Sequence, residues 1–495
     1  MGALSLYSNT NAYYGTAIGN NALYNNTTGN YNTALGYSTL FNNVAGSNAT
    51  AVGARAMYNA DPNASAFINY NVALGYEALL GSSTPANNTG SYNTALGYQT
   101  IWSNTTGYAN VASGYHSLYY NTTGGGNVAN GYVALTNNTT GGSNTANGGY
   151  ALYLNTVGQF NTADGASALY YNVAGSYATA IGYNAMYYAN NTATPFTNYN
   201  VAIGYEALMG SLNPVNNTGN YNTATGYRAL SGNANGINNT ANGYLALAAN
   251  IGGQSNSAIG YNTLPVNTSG VDNTAVGAYA LQGNTTGGSN TAVGFNALGS
   301  NNTGGSNTAI GYQAGSFAAG TLTNYTAIGF NSGNVGTPAS NSIDFGNSSV
   351  TLVRCGVTSL TAYSDARVKD NVKENVPGLD FIGRLRPVTY NLNLHHEMEI
   401  TGNEKSDNTD WEGKYDIEKI TQSGFIAQEV EKAANEVGYD FNGLHKPSGP
   451  HDLYGLGYTD FVVPLVKSVQ ELKKITEDQQ KTIDRLLKEI EEMKK

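Results

Sequence analysis

Ser364 and Lys369 are the two side chains best suited by type and spacing to do chemistry. They lie in one stretch, Tyr363 to Asp370, that reads YSDARVKD. A serine hydroxyl becomes a nucleophile when a neighbouring base takes its proton. A lysine can be that base only while its amine is neutral, a state that burial favours by lowering its pKa. Serine-lysine pairs are variants of the triad arrangement. Residues five apart on an α-helix stand about 500° apart, or about 140° off a shared face. Ser364 is therefore expected on an entering loop, with Lys369 reaching back from the first turns of a helix. The same residues also fit a plainer role, in which Ser364 or Asp365 is a helix N-cap and Lys369 a solvated charge.

The stretch sits on a boundary in composition. The 495-residue chain has 62 Gly, 39 Tyr and a single Cys, usage that points to a repeat or fibrous class. Residues 1–350 carry only Arg55 and Arg228 as cations and Asp61, Glu77, Asp164, Glu206, Asp272 and Asp344 as anions. The remaining 145 residues hold the other 19 of 21 Lys/Arg and 25 of 31 Asp/Glu. No region has the clustered basic residues that nucleic-acid binding requires. Cys355 has no partner for an intrachain disulfide. There is no run of 18 apolar residues to span a membrane, and MGALSLYSNTNAYYG lacks the charged start and apolar stretch of a secretory signal.

Before the boundary the chain is a repeat. A-x-G triplets recur from Gly19 to Gly329, mostly 17 residues apart, with four steps of 22 and a last step of 18. FINYNVALGYEALLGS from Phe67 returns as FTNYNVAIGYEALMGS from Phe196, so a block of seven rungs and 129 residues is duplicated. Such periods indicate a solenoid whose rungs cannot fold singly. The residue two before each Gly is Ala in all eighteen rungs, and the residue four after it is Leu, Met or Ile in sixteen. These columns form the predicted interior. Alternation along a strand turns the residue just before the Gly outward. There the column mixes Ile18, Leu35, Val52 and Ile310 with Ser113, Asn130, Asn147 and Asp164, as a contact face between subunits would. The repeated Gly and NTTG turns such as Asn104 to Gly107 are expected to supply positive φ. Each rung reads as two short strands and two turns, and eighteen rungs make a rod of about 85 Å. A thin Ala-rich core argues that three coils lie side by side. Gly2 and Leu6 fit the rung pattern without its leading strand, so an attachment region is expected to be missing before residue 1.

The long rungs carry Pro62, Pro85, Pro195 and Pro214 in loops that should project, either as spacers or as receptor contacts. Thirty-three of the 39 tyrosines lie in the array and read as a packing ladder, with sugar binding as the alternative. The Asn-x-Thr sequons read as turn chemistry. A glycosidase needs two carboxylates within about 5–10 Å, whereas the recurrent acids Glu77 and Glu206 lie seven rungs, roughly 34 Å, apart. The NTAIGY-type rungs resemble the head repeats of trimeric autotransporter adhesins, which are β-rolls assembled as trimers.

After the boundary come SDARVKD, LRPVTYNL (385–392), GFIAQEVEKA (424–433) and YTDFVVPLVKSVQELK (458–473). In order and spacing these resemble the endosialidase-type intramolecular chaperone domain at the C-termini of phage tail spikes and tail fibres, over about residues 364–480. The resemblance implies a domain that assists trimerisation of the fibre before it and then cuts itself off with a serine-lysine pair in an S-D-x-R-L-K motif. Ser364 and Lys369 fall on the pair, Asp365 and Arg367 match the supporting positions, and Val368 replaces the usual Leu. The implied cut lies between Tyr363 and Ser364. The serine would attack the carbonyl of its own preceding residue and form an ester that water hydrolyses. No cofactor is implied. His395, His396 and His451 lack metal-ligand spacing. GFIAQEVEKAANEV is amphipathic, with Phe425, Val430, Ala434 and Val437 on neighbouring turns. Heptad positions run 462, 465, 469, 472, 476, 479, 483, 486, 490 and 493, a coiled coil with polar layers at Thr476 and Gln479. Pro464 requires that the helix begin close to it.

The expected architecture is mainly β: a β-solenoid or β-roll array at 1–333, a β neck at 334–363, a small α+β chaperone and autopeptidase domain at 364–460, and a coiled coil at 461–495. The expected molecule is a homotrimeric fibre or adhesin precursor on a virion or a cell surface, which cleaves itself before Ser364 and has no activity on external substrates. A host-surface glycan or protein is its possible receptor. The alternative is a cell-surface adhesin or extracellular filament whose C-terminal domain remains as an uncleaved trimer cap.

Overall fold

The computed structural model describes residues 2–60, 62, 65–316, 320–333, 338–351, 353, 364–401, 414–447 and 449–494. The chain forms two compact units, Met1–Ile328 with Ser340–Ile343, and Gly329–Ala339 with Asp344–Lys495.

The first unit is a β-solenoid. Each rung contributes one three-residue strand at its A-x-G triplet, beginning with Thr16–Ile18 and Thr33–Leu35. These strands join a 19-stranded sheet whose described pairings are parallel, with Ala17 level with Ala34 and Ala34 with Ala51. The Ala column is buried because only a methyl group fits between this sheet and the Leu column opposite. Ala34, Ala51, Leu40 and Leu118 are wholly buried. A Cβ on Gly19, at φ +136°, would collide with the carbonyl oxygen of Gly36, so this position needs glycine for space as well as conformation.

Two details differ from the sequence expectation. The two-strand rung is the exception: among the described residues, second strands occur only where Gly46–Ser47 pairs with Phe67–Ile68 and Gly175–Ser176 with Phe196–Thr197. The NTTG stretch Asn104–Gly107 has no positive φ; the corners are turned by non-glycine residues such as Asn21 (58°) and Leu23 (52°). A left-handed Leu costs roughly 1–2 kcal/mol. Its burial and its bond to the next rung, Leu23 N–H to the Thr39 carbonyl at 3.0 Å, offset that cost.

Buried asparagines replace the second strand. Asn121 Nδ2 donates to Asn104 Oδ1 of the rung before and to the Gly124 carbonyl, both at 3.0 Å. In a second column Asn110 Nδ2 donates to Asn93 Oδ1 at 3.0 Å, while Asn110 Oδ1 accepts from the backbone N–H of Asn127 at 2.9 Å. The sequence suggested turns for the NTTG asparagines of the first column, such as Asn104 and Asn121, and assigned no role to the second. Their recurrence every 17 residues was the available signal for an interior ladder.

The second unit holds α1 (Leu379–Ile382), α2 (Leu394–Thr401), α3 (Ala427–Glu436) and α4 (Val462–Met493). Val388–Tyr390 pairs antiparallel with Gln422–Gly424. Its core gathers Phe381, Val430, Ala433, Ala434, Phe441 and Phe461, with Phe425 and Val437 packed against it. Val430 and Ala434 are thus on the expected inner face of α3. Pro464 lies in the first turn of α4, where its missing N–H costs no helical bond.

Candidate functional site

The YSDARVKD stretch folds locally around Asp365. Its carboxylate accepts from the backbone N–H of Arg367 at 2.9 Å and starts a 3-10 turn over Ala366–Val368. Arg367 Nε also donates to both carboxylate oxygens at 3.0 Å. These bonds hold the Asp365 carboxyl below its ordinary pKa and raise that of Arg367. The turn ends at Lys369, whose backbone is extended and whose N–H bonds the Ala366 carbonyl at 3.3 Å. Lys369 Nζ then reaches back and donates to Ser364 Oγ at 2.7 Å.

Five residues on one α-helix could not make this contact. A single 3-10 turn between the two residues can, because it is shorter and its C-cap is extended. Lys369 therefore reaches Ser364 from the end of a turn rather than from the first turns of an α-helix. Asp365 takes the capping role, which leaves the serine hydroxyl available to the amine. Ser364, Asp365, Arg367 and Lys369 are all exposed. Tyr363 lies outside the described residues.

The remaining motifs build the support. Arg386 of LRPVTYNL grips Glu429 of α3 through Nε at 3.1 Å and Nη2 at 2.6 Å, which lowers the Glu429 pKa. The Phe425 N–H donates to Tyr458 Oη at 3.1 Å, tying GFIAQEVEKA to YTDFVVPL. These three motifs are thus parts of one small fold, constrained by packing away from the serine.

Residues 364–439 match the family Peptidase_S74, the chaperone of endosialidase. The match starts on Ser364 and takes in the strand pair and α3. No curated protein and no solved structure matches the chain. The chain therefore joins a β-solenoid to a C-terminal segment that is similar to the endosialidase chaperone.

Other groups fall into structural roles. His395 stacks on Tyr415, and His451 Nδ1 donates to the Ile400 carbonyl at 2.9 Å. In the array, Glu77 is buried and accepts from Gln99 Nε2 at 2.7 Å and Trp102 Nε1 at 3.2 Å, beside Arg55. Burial alone would raise its pKa, but these donors outweigh it and leave the carboxyl below its ordinary value. Glu206 likewise pairs with Arg228, at 3.2 Å. Tyr76, Tyr98, Tyr115 and Tyr132 stack face to face at 5.2–5.3 Å. Stacked rings present their edges outward, which suits packing between rungs better than the face-on platform a sugar ring prefers. No helix among the described residues is long and apolar enough to cross a membrane.

Proposed function

We propose that this chain is the precursor of a homotrimeric tail fibre or adhesin, whose segment from Ser364 to about residue 460 aligns three copies of the rod and then releases itself. The observation that carries the reading is the 2.7 Å contact of Lys369 Nζ with Ser364 Oγ at the first residue of the family match. In the proposed step a neutral Lys369 amine takes the Oγ proton and Oγ attacks the Tyr363 carbonyl carbon. The C–N bond then breaks as the Ser364 nitrogen takes up a proton. Water hydrolyses the resulting ester, leaving a Tyr363 carboxylate and a free Ser364 hydroxyl. Each chain reacts once, in cis, with no cofactor.

The exposure of both groups bears on timing. In this reading cleavage follows assembly, once neighbouring copies cover the pair. Near-identical rungs are prone to slip in register, and cutting after alignment makes the assembled rod effectively irreversible. By the family the product belongs on a virion, where projecting loops such as those at Pro195 and Pro214 would meet a surface glycan or protein. The same exposure supports a second reading, an adhesin or filament that keeps the C-terminal segment as a trimer cap.

Intact mass of freshly expressed protein separates them. Cleavage predicts wild type split between Tyr363 and Ser364, with Ser364→Ala and Lys369→Ala whole. Full-length wild type in a formed trimer would establish the uncleaved cap.

A further inference from the structure

The outward column just before each A-x-G glycine is exposed along the rod. Ile18 and Leu74 are 50% exposed, Ile310 45% and Ile259 44%. From Ile18 to Ile328 it reads five aliphatic rungs, four polar (Ser113, Asn130, Asn147, Asp164), two aliphatic, two polar (Thr225, Asn242) and five aliphatic. We infer that this column is the face on which copies of the chain meet in parallel, and that its six polar rungs key their register. The inference rests on the homotrimer reading and adds to it the surface and the alignment device.

Two observations select a second copy as the occupant. Copies related by rotation about the rod axis bring each rung level with its own counterpart. The stripe is set out rung by rung over eighteen levels, with like residues level only for a partner that has the same 17- and 22-residue spacing, which a second copy has. The stripe is also the right size. At about 85 Å by about 10 Å it presents on the order of 850 Å², what one partner gives to a standard specific interface.

The polar rungs answer a problem created by the duplication. Slips of one or a few rungs displace the long rungs, but a slip of seven superposes Gly53–Gly97 on Gly182–Gly226, with their inserted loops. The buried columns offer little resistance to it, because they repeat. In the outward column, however, six of the eleven facing pairs would set a polar residue against an aliphatic one. Polar groups buried without partners oppose that arrangement, as a polar residue fixes register at a coiled-coil seam. In register the five Ser, Asn and Thr rungs, which carry both donors and acceptors, satisfy one another, while Asp164 draws its donors from the neighbouring rungs; Asn130 Nδ2 already donates to Asn147 Oδ1 at 3.0 Å along the chain.

The test uses full-length chains in a Cys355→Ala background. Leu74→Cys and Ile203→Cys chains, seven rungs apart, are co-expressed and oxidised, and the disulfide-linked peptides are identified by mass. Thr140→Cys, at an NTTG corner, is the control. The expected result is 74–74 and 203–203 linkage with no 74–203 linkage and no linkage at 140. With the six polar rungs changed to Ile or Val, 74–203 linkage should rise at least tenfold. A trimer by native mass without linkage at 74 or 203, or with linkage at 140, overturns the face while leaving the trimer standing. Abundant 74–203 linkage with the polar rungs intact, or none after their removal from a chain that still forms trimers, overturns the keying. A monomer by native mass overturns both this inference and the homotrimer reading.

Discussion

Glu471, on the terminal helix, accepts a hydrogen bond from the backbone N–H of Leu379 at 2.8 Å, across 92 residues of chain. The carboxylate thereby satisfies an N–H at the start of α1 that no helical carbonyl can reach. Gly378, just before it, has no room for a Cβ because the Glu471 carboxylate occupies that space. The contact fastens α4 to the fold that carries the serine-lysine pair. Glu471→Ala should cost about 1–3 kcal/mol. Differential scanning calorimetry should show the transition of the C-terminal unit lowered and that of the array unchanged.

The asparagine ladder should be the array's least tolerant polar feature. Asn127→Ala removes an acceptor for Asn144 and a donor to the Gly141 carbonyl, all buried. The expected loss is about 2–4 kcal/mol, against a few tenths for Thr140→Ala at an exposed corner. Urea unfolding of the two variants beside wild type measures the difference. Asn121, in the sequon Asn121-Thr122-Thr123, should also stay unmodified in a glycosylating host, since both its amide hydrogens are engaged and it is wholly buried. Peptide mass mapping would detect a glycan.

The solenoid was legible in the sequence because its constraints are one-dimensional. Ala at all eighteen triplets, Leu four after the Gly, and the alternation that exposes Ile18 each follow from strand geometry acting on a period. The NTTG asparagines were read as turns and the second column passed over because Asn has two strong uses, and turn preference is local whereas a ladder appears only once rungs are stacked. In the second unit, the pairing of Ser364 with Lys369 was implied by the resemblance of the four motifs to the chaperone family, since the spacing alone also fits a capping residue and a solvated charge. Its geometry was not, since nothing in SDARVKD says whether the turn after Asp365 is 3-10 or α. The Glu471 contact was beyond reach, because 92 residues separate partners that only tertiary packing brings together.

Glu77 should give the array a pH signature. Its folded pKa is depressed below 4.5, because donation by Gln99 and Trp102 and the charge of Arg55 outweigh burial. By linkage, the stabilisation is fully present above about pH 4.5 and is lost as pH falls through the lower folded value. Glu77→Gln should cost about 1–3 kcal/mol at pH 7, with the gap to wild type closing below pH 4.5. Thermal melts of both proteins between pH 3 and 7 would show this convergence. A gap that stayed constant would mean that packing, and no charge, accounts for the residue.

Asp365 should position the reacting pair without joining it. Its carboxylate holds the turn that brings Lys369 back to Ser364, and touches neither residue's reacting atom. Asp365→Ala should therefore slow autocleavage about tenfold or more, while Ser364→Ala stops it. A time course of intact mass at several pH values distinguishes the roles. A positioning loss lowers the rate evenly across pH, whereas a part in proton transfer would shift the profile.

The heptad face of α4 supplies the last expectation. Leu465, Val469, Leu472 and Ile483 are 46–63% exposed on the single chain, while Pro464 and Ser468 are buried against the rest of the unit. One side of the helix is committed to its own fold and the other is free for copies. Thr476 and Gln479 interrupt the free side, and Thr476 Oγ1 turns back to the Leu472 carbonyl at 2.9 Å. Replacing them with Ile and Leu adds buried methylenes worth about 0.8 kcal/mol each, so the assembled helices should melt higher. Polar layers at a coiled-coil seam generally specify register and oligomer number at a cost in stability. The same double variant should therefore populate more than one oligomer by sedimentation velocity, where wild type gives one; a single trimer in both would assign register wholly to the rod.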